Sequence, residues 1–136
     1  KRSSVFCVAV LLCGVSGCKK SPEQLGREQV AAMNEAAAVL ESIQDDASAQ
    51  RALPKLEKAA ARIRAANEAT MRSWSQGGNQ NKSLNDPKVQ EQIKELTQAG
   101  ARVLGAQMQA MQRAPGRAAQ IQALMDKAQG VTSSSR

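Results

Sequence analysis

The chain has 136 residues, with 19 Lys and Arg against 12 Asp and Glu, a formal net charge of +7, and neither His nor Tyr. That length is enough for one domain. The missing His and Tyr remove common general acid–base groups, so the composition argues against an enzyme and against any histidine-bound cofactor. With one Trp and one Phe, the predicted core is thin, and abundant alanine favours closely packed helices.

The first eighteen residues contain three parts in a fixed order. Lys1 and Arg2 are basic, residues 5–15 are mostly apolar, and the small pair Ser16-Gly17 precedes Cys18. This order is typical of a secretory signal peptide. The ending Val15-Ser16-Gly17-Cys18 resembles the lipobox of bacterial lipoproteins. The resemblance implies cleavage after residue 17, acylation of Cys18 by chains such as palmitate, and a location in the bacterial cell envelope.

Two other interpretations of this segment remain open. A membrane-spanning anchor needs about twenty apolar residues, and the run has roughly half that number. An ordinary signal peptide cut before Cys18 leaves a free thiol on the mature chain. Cys13 is a poorer lipidation site because bulky Leu12 precedes it. Cys7 and Cys13 leave with residues 1–17, so no disulfide is expected.

Residues 18–21 are the predicted tether, and the helical domain is expected over residues 22–130. Ser21 is a helix cap, Pro22 suits the first helical position, and Gln24 can complete a capping box. A first helix of about 22 residues is predicted to end before Asp45. Its apolar stripe comprises Met33, Ala36, Leu40 and Ile43. The short tether reaches at most about 14 Å, which places the helical body against the membrane.

A second helix is predicted after the caps offered by Asp45, Asp46 and Ser48. Pro54 either marks its start or bends it. Asn67 falls on the seam, where it sets pairing register or occupies an exposed edge. The seam follows heptad spacing, as in coiled coils, and comprises Leu53, Leu56, Ala60, Ile63, Asn67, Thr70, Met71 and Trp74.

A turn-rich loop over residues 77–85 precedes a third helix capped by Asp86-Pro87. Gly100 and Gly105 weaken this helix, and close packing against a neighbour is their expected use. Its predicted stripe comprises Val89, Ile93, Leu96, Gly100, Val103, Leu104, Met108 and Met111. A short fourth helix follows Pro115-Gly116 and stops at Gly130, and residues 131–136 are expected to be disordered. The predicted fold is an all-α small antiparallel bundle with three long helices and a short one.

Four basic residues of the second helix are predicted to share one face, opposite the Leu56–Ile63 seam. With Lys19 and Lys20 beside the tether, they form the expected contact with anionic lipid headgroups. The competing interpretation is a solvated basic face. The four are Arg51, Lys55, Lys58 and Arg62. Trp74 is expected to close one end of the core, or alternatively to contact a partner or the membrane interface.

No constellation for chemistry stands out. Glu91 and Glu95 lie one turn apart, yet the predicted buried face points away from them, which favours a solvated pair. The five methionines have no histidine companions for a copper site and are expected to fill core gaps. The expected function is therefore that of a lipid-anchored envelope protein with a non-catalytic structural or partner-binding domain. The alternative is a soluble periplasmic or secreted helical adaptor or inhibitor.

The lipoprotein resemblance also bears on location and partners. Many enterobacterial lipoproteins that stay at the inner membrane carry aspartate after the cysteine, whereas Lys19 stands there in this chain, so the outer membrane is favoured. The expected partners are the membrane, an unidentified envelope protein and a second copy of the chain. Nucleic acid is excluded by the predicted location.

Overall fold

The computed structural model describes residues 20–75 and 86–130. In these ranges the chain forms helices α1 (Pro22–Glu41), α2 (Asp46–Ser75), α3 (Pro87–Arg113) and α4 (Ala118–Ala128), with a 3-10 turn, Pro115–Arg117, before α4. Neither range contains a strand. The predicted all-α bundle of three long helices and one short helix is confirmed. The predicted signal peptide, Cys18, Lys19, the 77–85 loop and the 131–136 tail lie outside the described residues.

Reciprocal hydrogen bonds fix the starts of α1 and α2. The Ser21 hydroxyl accepts from the Gln24 amide at 3.2 Å, and Gln24 Oε1 accepts from the Ser21 amide at 3.1 Å. Before α2, Asp45 Oδ1 accepts from the Ser48 amide at 2.6 Å, while Ser48 Oγ accepts from the Asp45 amide at 2.9 Å. Because these pairs satisfy amides that the first turn leaves free, both predicted caps are present.

Pro54 lies inside α2, which begins at Asp46 and continues to Ser75. The interpretation in which the helix starts near the proline is therefore wrong. The first turn of α2 is already held by the Asp45–Ser48 pair, so a hydrogen bond lost at Pro54 interrupts an established helix.

The helices follow one another around the bundle axis in the order α1, α2, α4, α3. Helix α1 packs along both α2 and α3, and α4 packs against both of them. Gln107 of α3 donates to Gln122 of α4 at 2.9 Å, so α4 lies beside the C-terminal half of α3. Because α4 has only 11 residues, the bundle has four helices at that end and three at the end where α1 begins.

Small side chains make up most of the core. Its largest fully buried side chains are Leu40, Ile43, Leu56, Ile121 and Met125, and most of the remaining buried positions are alanine. Alanine lets helix axes approach, although each one buries little apolar area. The predicted stripes of α1 and of the first part of α2 lie in this core.

The predicted stripe of α3 is partly wrong. Ile93, Leu104 and Met108 are 48%, 57% and 53% exposed. The buried face of α3 consists mainly of small residues instead: Ala99, Val103, Ala106 and Ala110, with Gln107. Ala32, Ala36 and Ala37 are buried on α1, so α3 approaches α1 most closely through its own small residues. Large side chains at that contact would hold the two helices apart.

Candidate interaction surfaces

Three glutamates of α1 each bind a cation from another part of the chain. Glu28 accepts from Lys20 at 2.8 Å, and Glu35 pairs with Arg62 of α2. Glu41 accepts two hydrogen bonds of 2.8 Å from Arg102 of α3. Surface ion pairs therefore join helix α1 to Lys20, which precedes its own cap, to α2 and to α3.

Lys20, one of the residues predicted to contact lipid headgroups, is engaged in this way. Its ammonium lies 2.8 and 2.9 Å from the two carboxylate oxygens of Glu28. The side chain remains 56% exposed. A cation already paired with a carboxylate offers less attraction to an anionic surface than a free one.

The four basic residues of α2 are all exposed. Arg62 is compensated by Glu35. Arg51, Lys55 and Lys58 have no ion pair among the residues that the structure describes. We call these three residues the basic face of α2. It carries positive charge along the first half of that helix, and Arg51 is close enough to Asp45 for the two charges to attract each other.

The basic face lies far from the start of α1. Arg62 pairs with Glu35, and Gln29 donates to Asn67 at 2.7 Å, so α1 and α2 run antiparallel. The half-buried Asn67 thus lies at the contact between these two helices. Arg51 lies near the α1–α2 turn, a helix length of about 30 Å from Pro22. Contact of this face with a membrane that holds the chain near residue 18 requires the bundle to lie along the surface.

A surface cleft of about 620 Å³ lies where α4 ends. Gly130, with a φ of +73°, adopts the left-handed conformation that commonly terminates helices. Met71, which was predicted on the seam, is 71% exposed beside this cleft, because α4 ends before it covers that part of α2. Glu68, between Arg64 at 2.9 Å and Arg72 at 4.0 Å, lines the same wall. The side chain of Trp74 is not described.

The acidic groups lie at the exposed surface, in ion pairs or at a helix cap. Glu91 and Glu95 are exposed, as predicted, and border a shallow depression of about 270 Å³ with Arg27 and Lys88. The side-chain hydrogen bond from Arg102 lowers the pKa of Glu41, and the backbone hydrogen bond from Ser48 is the main cause that lowers the pKa of Asp45. Within residues 20–75 and 86–130, no three or more His, Cys, Asp or Glu residues are grouped to hold a metal ion.

Two features of the surface were missed by sequence reasoning. The Glu41–Arg102 pair joins residues 61 positions apart, and no local pattern indicates such a contact. The exposed apolar face of α3 was assigned to the core because hydropathy ranks Leu and Met above Ala.

No helix in the described part of the chain has the length and apolar character to cross a bilayer. No protein-family model, curated protein or solved structure matches this chain.

Proposed function

We propose that this chain is a bacterial lipoprotein anchored in the cell envelope through Cys18, with a helical bundle that acts as a non-catalytic structural or partner-binding module. The observation that carries the proposal is the sequence Val15-Ser16-Gly17-Cys18, which follows a basic start and an apolar run. Bilayer binding by one acyl chain is marginal, whereas two or more chains anchor a protein durably.

The start of α1 supports this arrangement. The helix is capped at Ser21 and begins at Pro22, so three residues separate Cys18 from the first helical residue. Such a tether spans roughly 10–14 Å and keeps the three-helix end of the bundle close to the lipid surface. The outer membrane is the proposed location, because Lys19 rather than aspartate follows the cysteine.

The non-catalytic role rests on what the surface offers. Three glutamates of α1 are used in ion pairs, two of them between helices, and the exposed carboxylates of α3 lie in a shallow depression with cations. The remaining distinctive surfaces are a basic face on α2 and an apolar face on α3. Surfaces of these two kinds are suited to lipid headgroups and to protein partners.

Cysteine variants of the full chain test the anchor. We expect Cys18→Ala to abolish palmitate incorporation and to move the protein from the membrane fraction to the soluble fraction. The matched control is Cys13→Ala, which removes a thiol from the same segment and is expected to retain both properties. If Cys18→Ala still incorporates palmitate and sediments with membranes after a high-salt wash, the proposal is wrong. Wild-type protein that is cleaved but carries no lipid would instead support the soluble adaptor.

A further inference from the structure

The outer side of α3 carries an apolar stripe without a charged residue. Ile93, Leu104 and Met108 are each about half exposed, while Val89, Leu96, Gly100 and Met111 are partly buried beside them. By helical geometry, Lys94 and Arg102 point away from the stripe. We call these seven positions the α3 stripe. Met111 also packs against the core, so the accessible apolar surface is centred on Ile93, Leu104 and Met108. Exposed apolar surface on a folded domain commonly marks an interaction site.

Gly100 at the centre of the stripe is not required by the packing of the bundle. A Cβ atom built on it meets no atom within 4 Å, and its φ is not positive. Glycine in a helix interior is less stable than alanine, so the fold of a single chain gains nothing from it. A glycine on an apolar helix face does allow another backbone to approach closely.

The stripe reads nearly the same in both directions from Gly100. This residue is the midpoint of α3, Pro87–Arg113. Leu96 and Leu104 lie four positions to either side of it, Ile93 and Met108 seven and eight positions, and Val89 and Met111 eleven positions. If two α3 helices cross antiparallel at Gly100, each of these residues meets an apolar residue of the other copy. Such self-complementarity is what a two-fold interface requires.

We propose that the α3 stripe binds a second copy of this chain, with a two-fold axis passing close to Gly100. Because only three of its seven positions are half exposed, the stripe is expected to bury less than the roughly 800 Å² per partner of a standard interface, so we expect a reversible dimer. Because the stripe is uncharged, pairing two copies brings no like charges together. Outside the described ranges, only the predicted signal peptide has an apolar run in its sequence that fits the stripe.

The dimer goes beyond the proposed lipoprotein function and does not depend on it. If the chain is anchored, confinement to a surface raises the effective concentration of the second copy and favours pairing. Gly100 and Gly105, the two glycines of α3, provide the test, because a Cβ at Gly105 also meets no atom within 4 Å. Gly105 lies away from the stripe, so the two positions form a matched pair.

The first experiment is oxidative crosslinking of Gly100→Cys and Gly105→Cys in the full chain, in unfractionated cell extract so that anchoring is not required, with wild type as the baseline. We expect a disulfide-linked dimer at position 100 at least tenfold more abundant than at position 105, since only residues near a two-fold axis meet their own copies. Equal crosslinking at both positions, or none above wild type at position 100, would overturn the proposal. A product of position 100 with a larger, different protein would also overturn it.

The second experiment measures association of the purified full chain in detergent by sedimentation. We expect Gly100→Arg to reduce the dimer fraction at least tenfold and Gly105→Arg to leave it unchanged, with the same helical circular dichroism for both. Equal dimer fractions in both variants would contradict the proposal. Wild type and Cys18→Ala together separate the two hypotheses. We expect Cys18→Ala to lose the lipid and keep the dimer. Wild type that dimerises but carries no lipid contradicts only the anchor, and lipidated wild type that forms no dimer contradicts only the α3 interface.

Discussion

The carboxylate of Asp46 accepts a 3.0 Å hydrogen bond from the backbone amide of Gly116, which joins the first turn of α2 to the turn between α3 and α4. Close by, the Arg113 guanidinium lies 3.5 Å from the carbonyl oxygen of Ile43. Both chain reversals at the four-helix end are thereby connected. We infer that these contacts hold the short α4 in register, because α4 alone buries few large side chains.

Replacing Asp46 is expected to loosen this end of the bundle. Asp46→Ala leaves the Gly116 amide without its acceptor, which costs on the order of 1 kcal/mol, whereas Asp46→Asn keeps an acceptor oxygen and costs less. Urea unfolding followed by circular dichroism measures the difference. Equal stability of the Ala and Asn variants would show that the hydrogen bond contributes nothing.

Gly116→Ala tests the same contact from the other side. A Cβ there would lie 2.6 Å from Asp46 Oδ2, so the carboxylate must move and the hydrogen bond weakens. We expect Gly116→Ala to destabilise the wild type but to have little effect in the Asp46→Ala background. Additive effects in this double-mutant cycle would mean that the two residues are not coupled.

Sequence patterns predicted the helices well where local chemistry decides the outcome. Ser21-Pro22 and Asp86-Pro87 set the starts of α1 and α3 within a few residues, because cap preferences act over one turn. The local pattern at Pro54 did not decide whether the helix continues through the proline. The Asp45–Ser48 caps upstream and the packing of Ala52 and Leu56 keep the helix continuous. The error on α3 has another origin. Which face is buried depends on how closely α1 approaches, and that distance is a property of the helix pair.

The candidate surfaces divide in the same way. The spacing of the basic residues placed all four on one exposed side of α2, as the structure has them. The ion pair of Arg62 depends on Glu35, which is 27 positions away in sequence, so the spacing of the basic residues gave no indication of it. The α3 stripe was recognisable as apolar, but its exposure follows from the short α4 and from the alanine contact with α1.

Truncation of a core leucine is expected to be severe. Leu56 is fully buried, and Leu→Ala at such a site usually costs about 2–5 kcal/mol, a large share of the stability of a small domain with a thin core. Leu104→Ala removes the same atoms from a side chain that is 57% exposed and should change the stability of the dilute protein little. Thermal unfolding of both variants makes the comparison. Similar losses would contradict the assignment of the core.

Acid is expected to remove the contribution of the Glu41–Arg102 pair. The pKa of Glu41 is lowered in the fold by the Arg102 hydrogen bond, so its contribution to stability is complete above the ordinary Glu value of about 4.3 and is lost as the pH falls further. Glu41→Gln should therefore have a lower melting temperature than wild type at pH 7, and the difference should shrink as the pH falls below the ordinary Glu value. Glu57→Gln, at an exposed position of α2, is the control and should show no such convergence. A gap for Glu41→Gln that stays constant with pH would contradict the prediction.

The basic face of α2 is predicted to bind anionic vesicles weakly and through long-range electrostatics. A fragment spanning residues 19–136 should bind phosphatidylglycerol-rich vesicles at low salt and be released at about 0.5 M salt, where the Debye length falls to a few ångström. Arg51→Gln, Lys55→Gln and Lys58→Gln together should remove most of the binding, since each free cation near the surface contributes on the order of 1 kcal/mol. Adding Arg62→Gln should remove little more, because Glu35 already compensates that guanidinium.

A second triple variant with the same change in charge separates a specific face from net charge. Lys88→Gln, Lys94→Gln and Lys127→Gln alter exposed residues of α3 and α4, and glutamine is nearly as good a helix former as lysine, so both triple variants should keep the helical circular dichroism of the wild type. Co-sedimentation with vesicles is the measurement. We expect the α3–α4 variant to retain most of the binding. Equal losses of binding in the two variants would mean that only the overall charge matters. Unchanged binding in both would mean that Arg51, Lys55 and Lys58 are a solvated surface, because a headgroup contact cannot survive the removal of the cations that make it.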